Sequence, residues 1–153
     1  MNEIEITFKN KARTFYVHPH FLVQLRERAT HSDSPDALLT PDNLLNAVYI
    51  EDRPNNIAAI IKNARYAVFL WDDTNRLVFV IDENEKTKRL DTLKTVYASP
   101  GCDWLLRWQA AHPKAKRQRL RDVFNSGLGA LGPPTPFPTH TDQTRKTQRD
   151  TTQ

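Results

Sequence analysis

Five polar residues of this chain have the side-chain types that metal-independent cleavage of RNA requires. His20 and Arg28 lie in a stretch with helical periodicity, whereas Lys94, Thr95 and Tyr97 lie in a stretch with strand periodicity. The reaction needs a base for the 2′-hydroxyl proton, cations for the charge that develops on the phosphate, and an acid for the leaving 5′-oxygen. These five residues are therefore the candidate catalytic set.

Each candidate has a predicted role and an ordinary structural alternative. We expect His20 to act as base or acid, because histidine titrates near neutral pH. Arg28 and Lys94 would hold the scissile phosphate, Arg28 in bidentate fashion. Thr95 would hydrogen-bond a phosphate oxygen, and Tyr97 would stack on a base or donate a proton. Alternatively, His20 is a surface residue and Tyr97 a core residue, so convergence in space has to support the catalytic interpretation.

The first predicted helix begins near Pro19, since proline favours the first helical turn. Its apolar residues recur at helical spacing and form one face: Phe21, Leu22, Leu25 and Ala29. Successive residues advance by about 100°, so Gln24 and Glu27 share the opposite side with His20. Arg28 lies at the edge of that side. The polar residues of this helix are therefore expected to be contiguous.

Alternating apolar residues predict an N-terminal hairpin and then three further strands. The hairpin is indicated by Ile4, Ile6, Phe8, Phe15 and Val17. The three strands are expected over residues 66–71, 77–81 and 90–97, joined by turn-forming and polar residues. In the last strand, alternation places Leu93, Thr95 and Tyr97 on one face, and Thr92, Lys94 and Val96 on the other.

Two further helices are predicted. Thr40 and Pro41 indicate a helix start, and the buried face would contain Leu44, Leu45, Ala47 and Val48. A later helix contains Trp104 and Trp108, which are expected in the core, and Pro113 interrupts it. Residues 57–63 fit either a short helix or an extended segment, because short apolar runs do not distinguish the two.

Length and composition predict one domain with a tail. A chain of 153 residues can bury one ordinary core. Residues 1–125 are expected to form a single α+β domain, with N-terminal helices packed on a small antiparallel sheet, an N-terminal hairpin and an additional C-terminal helix. Residues 126–153 are rich in Pro, Thr and Gln and are expected to be disordered.

The positive charge is concentrated near the end of the predicted domain. Acidic and basic residues nearly balance up to His112, and a basic cluster follows at Lys114, Lys116, Arg117, Arg119 and Arg121. Such a cluster can neutralise several phosphates, although it is equally typical of a solvated helix face. Together with Lys88 and Arg89, it forms the predicted nucleic-acid-binding set.

Cofactor and membrane sites are not expected. Cys102 is the only cysteine of the chain, so no cysteine-based zinc site can form within it. His18 and His20 have no evident third metal ligand nearby, and no cofactor motif is present. The longest apolar run is too short to span a bilayer, and the acidic, polar N-terminal residues do not fit a secretory signal. We therefore expect a soluble, cytoplasmic protein without a metal or cofactor.

The order of these elements resembles the small RelE-like and barnase/EndoU/colicin-like (BECR fold) ribonuclease toxins. The motifs that carry this resemblance are HFLVQLRER, with His20, Glu27 and Arg28, and LKTVYAS, with Thr95, Val96 and Tyr97. The similarity covers about residues 17–99 and excludes the hairpin, the Trp-containing helix and the tail. Members with a strong basic groove carry more Lys and Arg near the sheet than this chain does.

The resemblance implies a metal-independent endoribonuclease of toxin or effector type, encoded by a phage or another mobile element. Its expected partners are RNA and an antitoxin or immunity protein that covers the active face. The alternative is a non-catalytic module of the same fold that binds nucleic acid or protein through the basic segment 113–121. The sequence does not choose between these alternatives and leaves the oligomeric state open.

Overall fold

The structure is a computed structural model that describes residues 2–50, 67–84, 86–111, 118–124 and 135–136. The strands of this part are β1 Glu3–Phe8, β2 Lys11–Val17, β3 Val48–Ile50, β4 Ala67–Asp72, β5 Leu77–Glu83, β6 Leu90–Ala98, β7 Gln118–Arg119 and β8 Thr135–Pro136. The helices are α1 Phe21–Arg28, a 3₁₀ helix Pro35–Leu38, α2 Pro41–Asn46, α3 Asp103–Ala111 and α4 Leu120–Phe124. The predicted α+β class is therefore confirmed, whereas the relation to the toxin fold stays a prediction.

The strands form one sheet in the order β1-β2-β6-β5-β4-β3-β7, and β8 pairs with β2. The predicted N-terminal hairpin and the meander β4-β5-β6 are both present with antiparallel pairing. The predicted small antiparallel sheet is present as this meander, but the hairpin joins it through one parallel pair, β2 with β6. β2 leads into α1, so the chain reaches β6 only after forming β4 and β5.

Both faces of the sheet bury apolar side chains. On one face, α1, α2 and α4 contribute to a core in which the Phe21 and Phe79 rings stack with centroids 6.1 Å apart. On the other face, Leu105 of α3 is buried among Phe69, Val78 and Val80, and Trp104 and Trp108 pack against this second cluster. Both tryptophans are only partly buried, so the core role expected for them is met in part.

The second helix is shorter than predicted. Thr40 caps α2, since its hydroxyl accepts a hydrogen bond from the Asn43 N–H at 3.1 Å. The helix ends at Asn46 because Ala47 is extended. Val48, predicted on the helix, instead pairs with Trp71 in the sheet. Because its side chain is β-branched, Val48 favours the extended conformation of a strand beside β4 over a further helical turn.

A β-bulge at Lys94 changes the facing of β6. Val80 lies opposite Thr95 and Ile81 lies opposite Leu93, so Lys94 is an extra residue in this strand. Leu93 therefore packs in the α1-side core with Val96, not on the face of Thr95 and Tyr97 as simple alternation predicted. The prediction that Thr95 and Tyr97 share a face is confirmed, because they lie opposite Val80 and Val78 of the second cluster.

Helix α1 lies along the edge of β6 that β2 leaves unpaired. The β2–β6 pairing is limited to Tyr16 with Thr92 and Val17 with Leu93. The His18 N–H then donates to the Leu93 carbonyl at 3.0 Å, and the chain enters α1. This arrangement brings the polar side of α1 against the second half of β6.

Candidate functional site

The centre of the candidate site is the Arg28 guanidinium at the end of α1. Its Nη1 donates to the Thr95 hydroxyl at 3.1 Å and to the Val96 carbonyl at 2.6 Å. The guanidinium carbon lies 4.8 Å from the centre of the Tyr97 ring. Three of the five predicted catalytic residues, from segments far apart in the chain, are therefore in direct contact. The same contacts satisfy a carbonyl at the open edge of β6.

Thr95 holds this cluster together. Its side chain is buried, and its hydroxyl donates a short hydrogen bond to the Gln24 Oε1 atom while accepting one from Arg28. A threonine hydroxyl has one donor hydrogen, and here that hydrogen is already used. Thr95 is thus placed to orient Arg28 and Gln24 rather than to bind a ligand directly.

The Tyr97 ring is half-buried between two different groups. The Arg28 guanidinium covers one part of it, and Trp104 of α3 contacts it edge-on with ring centroids 6.2 Å apart. A guanidinium over an aromatic face is attracted by the ring quadrupole. Because Arg28 covers this face of the Tyr97 ring, a base cannot stack on it there. The Tyr97 hydroxyl remains as a group that could donate a proton.

His20 occupies the opposite end of α1 from Arg28. It is the N-cap residue, and its side chain is exposed and makes no capping hydrogen bond. Its backbone N–H donates to the His18 Nδ1 atom at 3.2 Å, and the two imidazole rings lie 5.5 Å apart. Arg28 comes eight positions after His20, which corresponds to an axial distance of about 12 Å. The candidate site is therefore elongated.

Lys94, at the bulge, forms an ion pair. Its Nζ atom lies 3.0 Å from Asp82 Oδ2, and the Asp82 side chain is 8% exposed. Asp82 Oδ1 also accepts a 2.7 Å hydrogen bond from the Glu83 N–H. An ammonium has three N–H donors, and Asp82 receives one of them. The charge of Lys94 is thus largely balanced, although its other two donors can reach a ligand.

Lys94 and Asp82 line a cleft of about 660 Å³ on the sheet face opposite α1. We call it the β-face cleft. Its walls come from β1, β2, β5, β6 and the β5–β6 connection, and include Glu3, Tyr16, His18, Glu83 and Thr92. The start of α1, next to His18, therefore opens onto a concave surface.

The predicted nucleic-acid-binding set does not gather at this site in the described part of the chain. Lys88 and Arg89 are exposed in the β5–β6 connection, and Arg121 is exposed on α4. Arg119 instead holds β7 in place: its Nη1 and Nη2 atoms lie 3.0 and 3.1 Å from the two Asp73 carboxylate oxygens, and Nη1 also donates to Asn46 O at 2.8 Å. Lys114, Lys116 and Arg117 lie outside the described residues.

Other predictions fall partly or wholly outside the described residues. These are residues 57–63, the interruption at Pro113 and most of the predicted tail 126–153. Within that tail, Thr135 and Pro136 are described and pair with Ala12 and Lys11 of β2. Among the described residues there is no cluster of three His, Cys, Asp or Glu side chains suited to a metal ion. The described helices include none that could span a membrane.

Comparison of the chain with family models, with curated proteins and with solved structures finds no match. The candidate site therefore rests on its own geometry.

Sequence reasoning missed two partners at this site. Asp82 ends the apolar run of β5, and an acid at that position is a signal for a buried ion pair. The sequence suggests His18 only as a metal ligand, although strand alternation after Val17 places it on the face of Tyr16. Gln24 lies on the predicted side of α1, but its hydrogen bond to Thr95 depends on the bulge at Lys94.

Proposed function

We propose that this protein cleaves RNA without a metal ion, by attack of a 2′-hydroxyl on the adjacent phosphate. The proposal is supported by one observation above all: Arg28, Thr95 and Tyr97 are in contact at the β6 edge, and His20 starts the helix that carries Arg28. A half-buried cation and phenol thus lie at one end of α1, and an exposed imidazole lies at the other end.

The geometry refines the roles of these residues. His20 is the proton-transfer group, because its imidazole is exposed at the start of α1 and can both donate and accept a proton. The Leu93 carbonyl accepts a hydrogen bond from the His18 N–H, so this part of β6 lies beside the start of α1. Lys94 is the next residue of β6 and is therefore the cation of that strand nearest the start of α1. We assign Lys94 to the scissile phosphate. Arg28, about 12 Å further along the helix, is assigned to a neighbouring phosphate.

Thr95 and Tyr97 act differently in this scheme. Thr95 is a positioning residue, because its hydroxyl bridges Gln24 and Arg28 and is buried. The Tyr97 ring supports the Arg28 guanidinium, and its hydroxyl is a proton donor candidate. Substitution of Thr95 should therefore weaken RNA binding through Arg28, while the remaining cleavage still requires His20.

The test is incubation of the purified protein with total RNA and with isolated tRNA in EDTA, followed by gel analysis. We expect discrete fragments from the wild type and from His31→Ala, and none from His20→Ala. His31 is a matched control, since it is also an exposed histidine near α1 but lies beyond its C-terminal end. Equal cleavage by His20→Ala and wild type would remove His20 from the mechanism, and an inactive wild type would overturn the proposal.

The second candidate function is a non-catalytic module that binds nucleic acid or protein through the basic segment 113–121. This candidate is favoured because both cations of the site already have partners within the protein. Lys94 is paired with Asp82, and Arg28 donates to the Val96 carbonyl at the β6 edge. Within the described part of that segment, Arg119 is paired with Asp73, which leaves Arg121 as an exposed cation.

Truncation does not test this second candidate well. Leu120, Val123 and Phe124 of α4 are buried in the α1-side core, so removal of the chain after His112 would damage the fold. Charge reversal avoids this problem. If the module binds RNA through this segment, replacing Lys114, Lys116, Arg117 and Arg121 by Glu should abolish salt-sensitive binding, while His20→Ala leaves binding intact.

A further inference from the structure

We infer that the β-face cleft is a binding site for an organic cation, a guanidinium or alkylammonium group, seated on Tyr16 next to Glu3. This inference does not depend on the proposed cleavage, although Lys94, which is assigned above to the scissile phosphate, lines the same cleft. Neither Tyr16 nor Glu3 belongs to the candidate catalytic set, and Tyr16 faces the cleft from β2, not from the α1 side.

Tyr16 is placed as a recognition platform. Its side chain is 41% exposed, and it is one of two large apolar side chains exposed in the described part of the chain. Strand pairing sets Glu3 of β1 directly opposite Tyr16, and Thr92 of β6 lies opposite on the other side. Residues directly opposite in an antiparallel pair, as Glu3 and Tyr16 are, have Cβ atoms about 4.5–5.5 Å apart. A carboxylate therefore adjoins an open aromatic ring in a concave site.

The charge of the cleft favours a cation over an anion. Its lining has three carboxylates, from Glu3, Asp82 and Glu83, and two ammonium groups, from Lys86 and Lys94. Asp82 and Lys94 neutralise one another at 3.0 Å. Glu3 forms no ion pair within the described residues, so its charge remains available to a ligand.

The chemistry of Tyr16 and Glu3 is complementary to a guanidinium or ammonium group. The negative face of an aromatic ring attracts such a cation, and an adjacent carboxylate adds a charge-assisted hydrogen bond. A phosphate in the same position would meet the Glu3 carboxylate and the negative ring face. An anionic ligand is therefore disfavoured at this end of the cleft.

The experiment is a titration of the full chain with L-argininamide, followed by calorimetry and by backbone NMR shifts of residues 3, 16 and 92. We expect saturable binding that weakens about fivefold in Tyr16→Leu and in Glu3→Gln. Tyr16→Phe should bind like the wild type, because the ring is kept. Glu5→Gln is the matched control, since Glu5 is also exposed on β1 but lies outside the cleft lining.

A second arm separates a free cation from an arginine side chain of a partner. An acetylated and amidated Gly-Arg-Gly peptide that binds more tightly than argininamide would identify a peptide ligand, whereas equal affinity would identify a free cation. Either result supports the site. The inference is overturned if argininamide binding does not saturate, if Glu3→Gln and Tyr16→Leu bind like the wild type, or if inorganic phosphate shifts the signals of residues 3 and 16 at lower concentrations than argininamide does.

RNA cleavage assays on the same variants keep the two proposals distinct. Tyr16→Leu and Glu3→Gln should cleave RNA as the wild type does while losing argininamide binding. Failure of cleavage in every protein, with intact argininamide binding, would count against the proposed function alone.

Discussion

The Arg28 guanidinium lies against the Tyr97 ring, with 4.8 Å between its central carbon and the ring centre. The contact joins the last residue of α1 to β6, across the edge where β2 no longer pairs. Arg28 also donates to the Val96 carbonyl at 2.6 Å. One side chain thus closes a strand edge and presents a cation beside a phenol.

Replacement of Arg28 by Lys should destabilise the protein by about 1–2 kcal/mol, because an ammonium cannot reproduce both hydrogen bonds and the stacking on Tyr97. Urea unfolding followed by circular dichroism measures this change. Arg26→Lys is the control, since Arg26 belongs to the same helix but forms an exposed pair with Asp36. It should leave the urea midpoint unchanged. Equal midpoints for both variants would contradict the structural role of Arg28.

Thr95→Val should cost about 1–3 kcal/mol of unfolding free energy, because valine has nearly the same shape but leaves the Gln24 and Arg28 groups without their buried partner. Thr95→Ser keeps the hydroxyl and should lose less. Thermal unfolding of the two variants at one pH gives the comparison. A serine variant that is no more stable than the valine variant would show that the methyl group, not the hydroxyl, matters.

Lys94→Met should lower the unfolding free energy by about 1–3 kcal/mol, since it leaves the buried Asp82 carboxylate without its cation. Asp82→Asn added to Lys94→Met should recover much of this loss, because the remaining amide oxygen can still accept from the Glu83 N–H. A double-mutant cycle of denaturant unfolding measures the coupling. Additive losses would mean that the two side chains do not interact in solution.

The Arg119–Asp73 pair predicts an acid dependence of stability. A hydrogen bond from Arg119 lowers the pKa of the Asp73 carboxyl. The ion pair therefore stabilises the fold fully above the pKa that Asp73 has in the unfolded chain, about 3.9. This stabilisation is lost as the pH falls through the lower pKa that Asp73 has in the folded protein. Both side chains are partly exposed, so the effect is a few tenths of a kcal/mol.

The measurement for this pair is the melting temperature of wild type and Asp73→Asn between pH 7 and pH 2. The variant should be slightly less stable at neutral pH, and the difference should vanish at the acid end. Asp33→Asn is the control, because Asp33 is exposed and forms no ion pair within the described residues. A difference that grows toward acid pH would contradict a lowered Asp73 pKa.

Strands and helices with clear periodicity could be predicted from the sequence, because their apolar spacing reflects one buried face. The hairpin, α1, the β4-β5-β6 meander and α3 follow this rule. The facing of Leu93 could not be predicted, since a single inserted residue at Lys94 reverses the alternation and only strand pairing reveals it. The strand conformation of Val48 could not be predicted for a similar reason, because its pairing with Trp71 outweighed the helical pattern of the local sequence.

The candidate site was predictable in part. The helical spacing of Gln24 and Arg28 and the strand spacing of Thr95 and Tyr97 placed each pair on a common face. Contact between the two pairs depends on how α1 lies along β6, which requires the parallel pairing of β2 with β6. Asp82 at the end of the apolar run of β5 signals a buried ion pair, but its partner Lys94 was not predictable. The Arg119–Asp73 pair was not predictable either, because the sequence does not show which distant segments meet.

The most direct test of the proposed function is cleavage of a defined single-stranded RNA in EDTA, with analysis of the product ends. We expect 5′ fragments that carry a 2′,3′-cyclic phosphate, and no cleavage at a linkage whose 2′-hydroxyl is replaced by hydrogen. Arg26→Lys should cleave like the wild type, whereas His20→Ala purified in parallel should not. Cleavage of the 2′-deoxy linkage, or no cleavage of the RNA by the wild type, would contradict a reaction in which the 2′-hydroxyl attacks the phosphate.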